Sequence, residues 1–219
     1  MAWKTFVAVG DSLIAGTGDV IEGIEHVCWS ERVARAIAPL HQDFTFTNLA
    51  RRGLKAAEVR EAQLEAALTL KPDLVSISVG GNDMYDPNWD DDAVYQEIDA
   101  IFAAFHQIGA TVLTFAYTNL EAVLPKPTPP VITYFSPHVI RLNNITRAMG
   151  EKYDNVALFD AWEQPEELAA DGWSSDFVHP NSLGQIRMAR MMAATLSQYS
   201  RIEIFGESLR LPDGVLVGE

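Results

Sequence analysis

Four short stretches of this chain hold residues able to do chemistry. Gly10-Asp11-Ser12-Leu13 carries a serine hydroxyl. Asp176-Phe177-Val178-His179-Pro180 carries an imidazole with a carboxylate three residues before it. Gly80-Gly81-Asn82-Asp83 offers a side-chain amide after two glycines, and Arg51-Arg52-Gly53 offers a main-chain N–H on a glycine. A serine hydroxyl is a poor nucleophile until a base takes its proton. His179 is the candidate base. Asp176 is spaced to accept the Nδ1 proton, which leaves Nε2 for Ser12. Pro180 biases His179 toward an extended backbone, so that the ring is presented rather than wound into a helix. Attack on a carbonyl also needs donors for the oxyanion that forms. The N–H of Ser12, the N–H of Gly53 and the amide of Asn82 are the candidates. Taken singly, each stretch also reads as an ordinary turn, because Gly, Asp, Asn and Ser are turn formers. Taken together they describe an acyl-transfer site, provided the fold brings them to one place.

The elements around them supply that place. Apolar runs rich in Val, Ile, Phe and Thr predict strands at Thr5–Val9, Phe44–Asn48, Asp73–Val79, Thr111–Ala116 and Val156–Phe159. Helices are expected between them: one capped by Ser30, then Lys55–Leu70, Asp92–Ile108, Ser136–Lys152 with Ser136 as cap, and Asn181–Tyr199. Strand and helix in alternation mean a parallel sheet covered on both faces. Ligands of such sheets bind beyond the carboxyl ends of the strands, and all four stretches follow strands. Tyr117–Phe135 is long for a connection and rich in proline, so it is read either as a loop covering a substrate or as a stiff surface arm.

At these residues the sequence resembles the SGNH hydrolases, also called GDSL-type esterases and lipases. The four blocks stand in order from Gly10 to Pro180. The resemblance implies an α/β fold of three layers, flavodoxin-like, with sheet order 2-1-3-4-5. It implies cofactor-free ester hydrolysis with Ser12, Asp176 and His179 as catalytic residues and an oxyanion hole of Ser12, Gly53 and Asn82. Its substrate would be a small-molecule ester. Deacetylation of a carbohydrate, cleavage of a lysophospholipid or thioester, and acyl transfer to another acceptor all fit the same machinery. A nucleotide- or flavin-binding module on a similar sheet is a more distant reading, with Gly16-Thr17-Gly18 its one hint.

The remaining residues set bounds. A net charge of −14 over 219 residues argues against a nucleic-acid or anionic-membrane partner. One cysteine, Cys28, permits neither an intrachain disulfide nor a thiolate metal cluster. Asp11 and Asp83 flank the site, but no clustered histidines join them, and no metal is expected. No apolar run approaches the ~20 residues of a membrane span. The amino-terminal apolar run is too short for a signal peptide's core, and the protein is read as cytoplasmic. Tyr85, Trp89, Phe135 and Trp173 are candidates to line an acyl or alcohol pocket, or simply to pack. Met188, Met191 and Met192 read as core filler. Residues 1–199 are expected to form the hydrolase domain. The segment 200–219 is too apolar for a free tail, so it is expected to pack on the domain or on a second subunit as a homodimer contact.

Overall fold

Alternation within each strand decides the architecture. In β1 (Thr5–Gly10), Phe6 and Ala8 enter one apolar cluster, and Val7 and Val9 enter another on the opposite face. A strand buried on both sides needs a layer on each side. The computed structural model, which describes residues 3–123, 134–164, 170–212 and 215, has that arrangement. β2 (Thr45–Asn48), β1, β3 (Leu74–Ser78), β4 (Thr111–Ala116) and β5 (Val156–Asp160) form one sheet in the order β2-β1-β3-β4-β5, and every pairing is parallel.

Beyond the one-turn α1 (Ser12–Ala15), α2 (Trp29–Ile37) covers one face together with the last helix. α3 (Ala56–Thr69), α4 (Asp91–Gln107) and the helix Ser136–Lys152 cover the other. A single turn at Leu120–Val123 is α5, which makes Ser136–Lys152 α6 and the last helix, Ser182–Ser200, α7. Trp29, Val33 and Ile37 of α2 meet Met188, Met192 and Leu196 of α7 in one cluster. Ile98, Ile101 and Phe105 of α4 meet Leu142 and Met149 of α6 in the other.

The expected strands are present with ends within a residue or so, and so are the helices. Two caps differ. α2 begins two residues early, with Cys28 at its N-cap, and the Ser30 hydroxyl lies 3.4 Å from the Cys28 thiol instead of on a backbone N–H. α6 takes Phe135 as N-cap, so Ser136 is its first residue, and its buried hydroxyl has no hydrogen-bond partner among the described residues. By contrast Asp90 and Asn181 each accept two backbone N–H groups at the starts of α4 and α7. The proline-rich stretch Tyr117–Phe135, read as a substrate-covering loop or a stiff surface arm, lies mostly at 124–133, outside the described residues.

After α7 the chain turns back along α2. Ile204 and Leu209 are buried in the α2–α7 cluster. Arg32 donates to the Ser208 carbonyl at 3.1 Å and receives the Ser208 hydroxyl on its own carbonyl at 2.8 Å. Arg190 donates to the Leu209 carbonyl at 3.2 Å.

Candidate active site

Strand order reverses between β1 and β3, where Gly10 stands opposite Ser78 at the carboxyl ends of the two strands. The chain must turn sharply there to start α1, and Gly10 allows it. Its φ is +149°, and a Cβ at that position would stand 2.2 Å from the Ser78 carbonyl. A side chain from α3 secures the turn. Gln63, buried, accepts from Gly10 N–H at 2.8 Å and donates to the Gly10 carbonyl at 2.9 Å. Asp11 then caps α1, accepting from Leu13 N–H at 3.1 Å, which leaves Ser12 as the first residue of a single helical turn.

The other end of the chain arrives on a loop tied to the same region. Ser174 N–H donates to the His179 carbonyl at 2.8 Å, and Asn181 N–H donates to the Gly172 carbonyl at 2.9 Å. These bonds pinch 172–181 into a short antiparallel turn around the Trp173–Pro180 bridge. Asp19 laces this turn to the segment after α1. Its N–H donates to Ser174 Oγ at 2.8 Å, its carboxylate accepts from Ser175 N–H at 2.8 Å, and its carbonyl accepts from Ser182 N–H at 3.0 Å. His26 adds another tie, bonding Gly16 O at 2.9 Å and Ser182 Oγ at 3.1 Å.

These ties bring the imidazole to the hydroxyl. His179 Nε2 lies 2.8 Å from Ser12 Oγ, and Nδ1 lies 2.7 Å from Asp176 Oδ2. The other carboxylate oxygen of Asp176 accepts from Val178 N–H at 2.9 Å and His179 N–H at 3.0 Å. Partial burial works against the Asp176 charge. The His179 side chain and these two N–H groups outweigh it and hold the carboxyl below its ordinary range. An ionised carboxylate only accepts, so Nδ1 carries the ring proton and Nε2 accepts from the Ser12 hydroxyl.

Asn82 projects from the turn after β3. Its Nδ2 donates to the Leu54 carbonyl at 3.0 Å and, more loosely, to Asp11 Oδ2 at 3.3 Å. Gly53 adopts φ +86°, and nothing lies within 4 Å of where its Cβ would be. Ser12, Gly53, Asn82 and His179 all line one cavity of about 280 Å³. Asp11, beneath Asn82, is buried, and loss of solvent pushes its carboxyl up to about 7, with Asp83 adding to the effect. Asp83 in turn accepts from Ala56 N–H at 2.9 Å at the start of α3.

A family model of GDSL-like lipases and acylhydrolases matches residues 8–186. The chain belongs to the GDSL-like lipase/acylhydrolase family. It is a serine hydrolase of that family. No curated protein matches it by sequence. Among solved structures it is similar to the lipase/acylhydrolase from Enterococcus faecalis, at 19% identity and a TM-score of 0.66 over 93% of this chain and 99% of that one. It is also similar to the psychrotrophic esterase EstA from Pseudoalteromonas, in a structure inhibited by monoethylphosphonate, at 15% identity and a TM-score of 0.65 over 90% and 99%. A catalytic mutant of Axe2, an acetylxylan esterase from Geobacillus stearothermophilus, aligns at 15% identity and a TM-score of 0.66 over 88% and 94%. At these identities the likeness is one of fold.

The remaining residues of this GDSL-like hydrolase divide between the cavity and its surroundings. Tyr85, Phe135 and Trp173 line the cavity, with Tyr85 and Phe135 in edge contact at 5.2 Å. Trp89 does not. It lies outside the cavity wall, with the Arg141 guanidinium 5.3 Å from its ring and its indole N–H on Asp91, because the start of α4 turns it toward α6. Gly18 is pressed against the Pro180 carbonyl, and Gly16 caps α1 in the left-handed region, so both glycines serve the packing of the two loops rather than a phosphate cradle. Phe115, Phe159, Met188, Met191 and Met192 line the cavity although nothing singled them out as functional. The spacing of the three methionines, i, i+3 and i+4, places them on one helix face, a pattern that core and cavity wall share. No helix among the described residues is long and apolar enough to cross a membrane.

Proposed function

We propose that this GDSL-like hydrolase cleaves carboxylic esters through an acyl-enzyme on Ser12. The observation that carries the reading is the unbroken line from Asp176 Oδ2 through His179 to Ser12 Oγ, at 2.7 and 2.8 Å, ending in a cavity.

The ester carbonyl carbon lies against Ser12 Oγ. As the C–O bond forms, the hydroxyl proton passes to His179 Nε2, and Asp176 stabilises the imidazolium. The carbonyl oxygen becomes an oxyanion, met by the N–H groups of Ser12 and Gly53 and by the Asn82 amide. Neither N–H has another acceptor among the described residues. The loose 3.3 Å contact to Asp11 is the one the Asn82 amide can redirect, while its bond to Leu54 keeps it oriented. The carbonyl re-forms and the bond to the alcohol oxygen breaks. His179 returns the proton to that oxygen and the alcohol leaves. Water then gives its proton to His179 and attacks the acyl carbon; the bond from that carbon to Ser12 Oγ breaks, His179 returns the proton to Oγ, and the acid leaves.

The test is turnover of p-nitrophenyl acetate together with covalent labelling by a fluorophosphonate. Ser12→Ala is expected to abolish labelling and to lower kcat/KM by at least about 10³-fold, with His179→Ala comparable. Wild-type rates in either variant would remove the proposal.

A further inference from the structure

The cavity beside Ser12 does not end at the chemistry. Leu13, Phe115, Met188, Met191 and Met192 are core residues, none more than 8% exposed, and all five also line the cavity. A wall made of core residues means the cavity enters the core. Its route follows from the topology. Phe115 of β4 and Phe159 of β5 are partners in register near the carboxyl ends of their strands, and the three methionines face them from α7. None of these six side chains carries a charge or a strong hydrogen-bonding group. A sugar or charged substituent placed there would lose its water without replacement. Methionines are unbranched and adaptable, so they conform to a flexible chain.

Resting on the esterase reading above, we propose that this inner chamber takes the acyl group of the substrate, and that the acyl group is an unbranched aliphatic chain of medium length, about hexanoyl to octanoyl. A cavity of about 280 Å³ stands at the small end of the ~300–1,000 Å³ usual for ligand pockets, which suits a chain of several carbons rather than a long one. The carbonyl and the leaving oxygen occupy part of it. The acyl portion is assigned inward because it stays on Ser12 between the two half-reactions, whereas the alcohol must leave before water enters. His179 hands its proton to the departing oxygen, and the loop that carries His179 lies on the exposed side, with Val178 36% and Tyr85 48% exposed where they line the cavity. The alcohol therefore departs outward and the chain that remains lies inward.

The test measures kcat/KM on p-nitrophenyl acetate, butyrate, hexanoate, octanoate and decanoate, and on octyl acetate, with the full chain and with Met188→Phe and Met191→Ala. Each methylene buried in the chamber is expected to raise kcat/KM about threefold to fourfold, to a maximum at hexanoate or octanoate. Met188→Phe, which fills the chamber, is expected to lower the octanoate-to-acetate ratio at least about tenfold. Met191→Ala, which enlarges it, moves the optimum toward decanoate and keeps the assignment testable should the larger side chain prevent folding. Acetate as the best substrate of the wild type would overturn the proposal, as would octyl acetate matching p-nitrophenyl octanoate or a chain-length profile unmoved by both variants. Those results leave the esterase reading standing if Ser12→Ala still abolishes acetate turnover. Acetate turnover surviving Ser12→Ala sinks that reading and this one with it.

Discussion

Ser12 Oγ and His179 Nε2 lie 2.8 Å apart although 167 residues separate them in the chain. Each sits on its own short turn, and the turns are joined by the bonds of Asp19 and His26 rather than by an apolar contact between the two residues. The approach is therefore sensitive to the carboxylate that orients the ring. Asp176→Asn keeps the shape but leaves Nδ1 without its anionic acceptor. In serine hydrolases of this geometry, such a change costs on the order of 10⁴ in kcat. A fall of at least about 10²-fold is expected here, with fluorophosphonate labelling slowed in parallel. Unchanged labelling would place Asp176 outside the proton path.

Asn82 serves the oxyanion in the proposed mechanism, and an oxyanion exists only after attack begins. Asn82→Ala is expected to lower kcat by about 10²–10³-fold while changing KM much less. Steady-state kinetics on p-nitrophenyl butyrate separates the two. A rise in KM with kcat intact would make Asn82 a residue that merely binds the ground state.

Gln63 makes no contact with substrate in this scheme, yet both its hydrogen bonds go to Gly10, two residues before Ser12, the proposed nucleophile. Gln63→Leu keeps the volume and leaves a buried N–H and a buried carbonyl each short of a partner. A loss of roughly 2–4 kcal/mol in unfolding free energy is expected, from about 1–3 kcal/mol per unsatisfied group and partial compensation from Arg51 N–H. Urea denaturation measures it, and a change under 0.5 kcal/mol would show that the turn holds without the glutamine.

Asp11 gives a pH signature. Burial pushes its carboxyl from 3.8 up to about 7 in the folded protein. Between those values the folded state holds a proton that the unfolded state has lost, so stability falls as pH rises from about 4 to about 7 and is flat above. The gap corresponds to up to about 4 kcal/mol at ~1.4 kcal/mol per pH unit. Asp11→Asn cannot titrate. Relative to wild type, the variant should gain stability steadily across that window, whatever constant cost its amide incurs against Asn82. A difference between the two proteins that does not vary with pH from 5 to 8 would contradict the raised pKa.

The sequence by itself determined the strands, the helices and the residues able to do chemistry. Strand composition and helical periodicity are local properties, and a serine, a histidine and a carboxylate announce their chemistry wherever they lie. Resemblance added the sheet order, which the structure bears out. What only the tertiary structure decided is which side chains meet. Gln63 reads as one more polar residue of an Ala- and Glu-rich helix, and nothing near it points to Gly10, 53 positions away. Trp89 stands beside the site in sequence and turns away from it, because the start of α4 aims it toward Arg141. The three methionines of α7 were legible as core and not as cavity wall, since a helix face looks the same whether its neighbours close upon it or leave a space. Whether they do depends on the sizes of Phe115 and Phe159 on two other strands, and such packing is a property of the assembled fold.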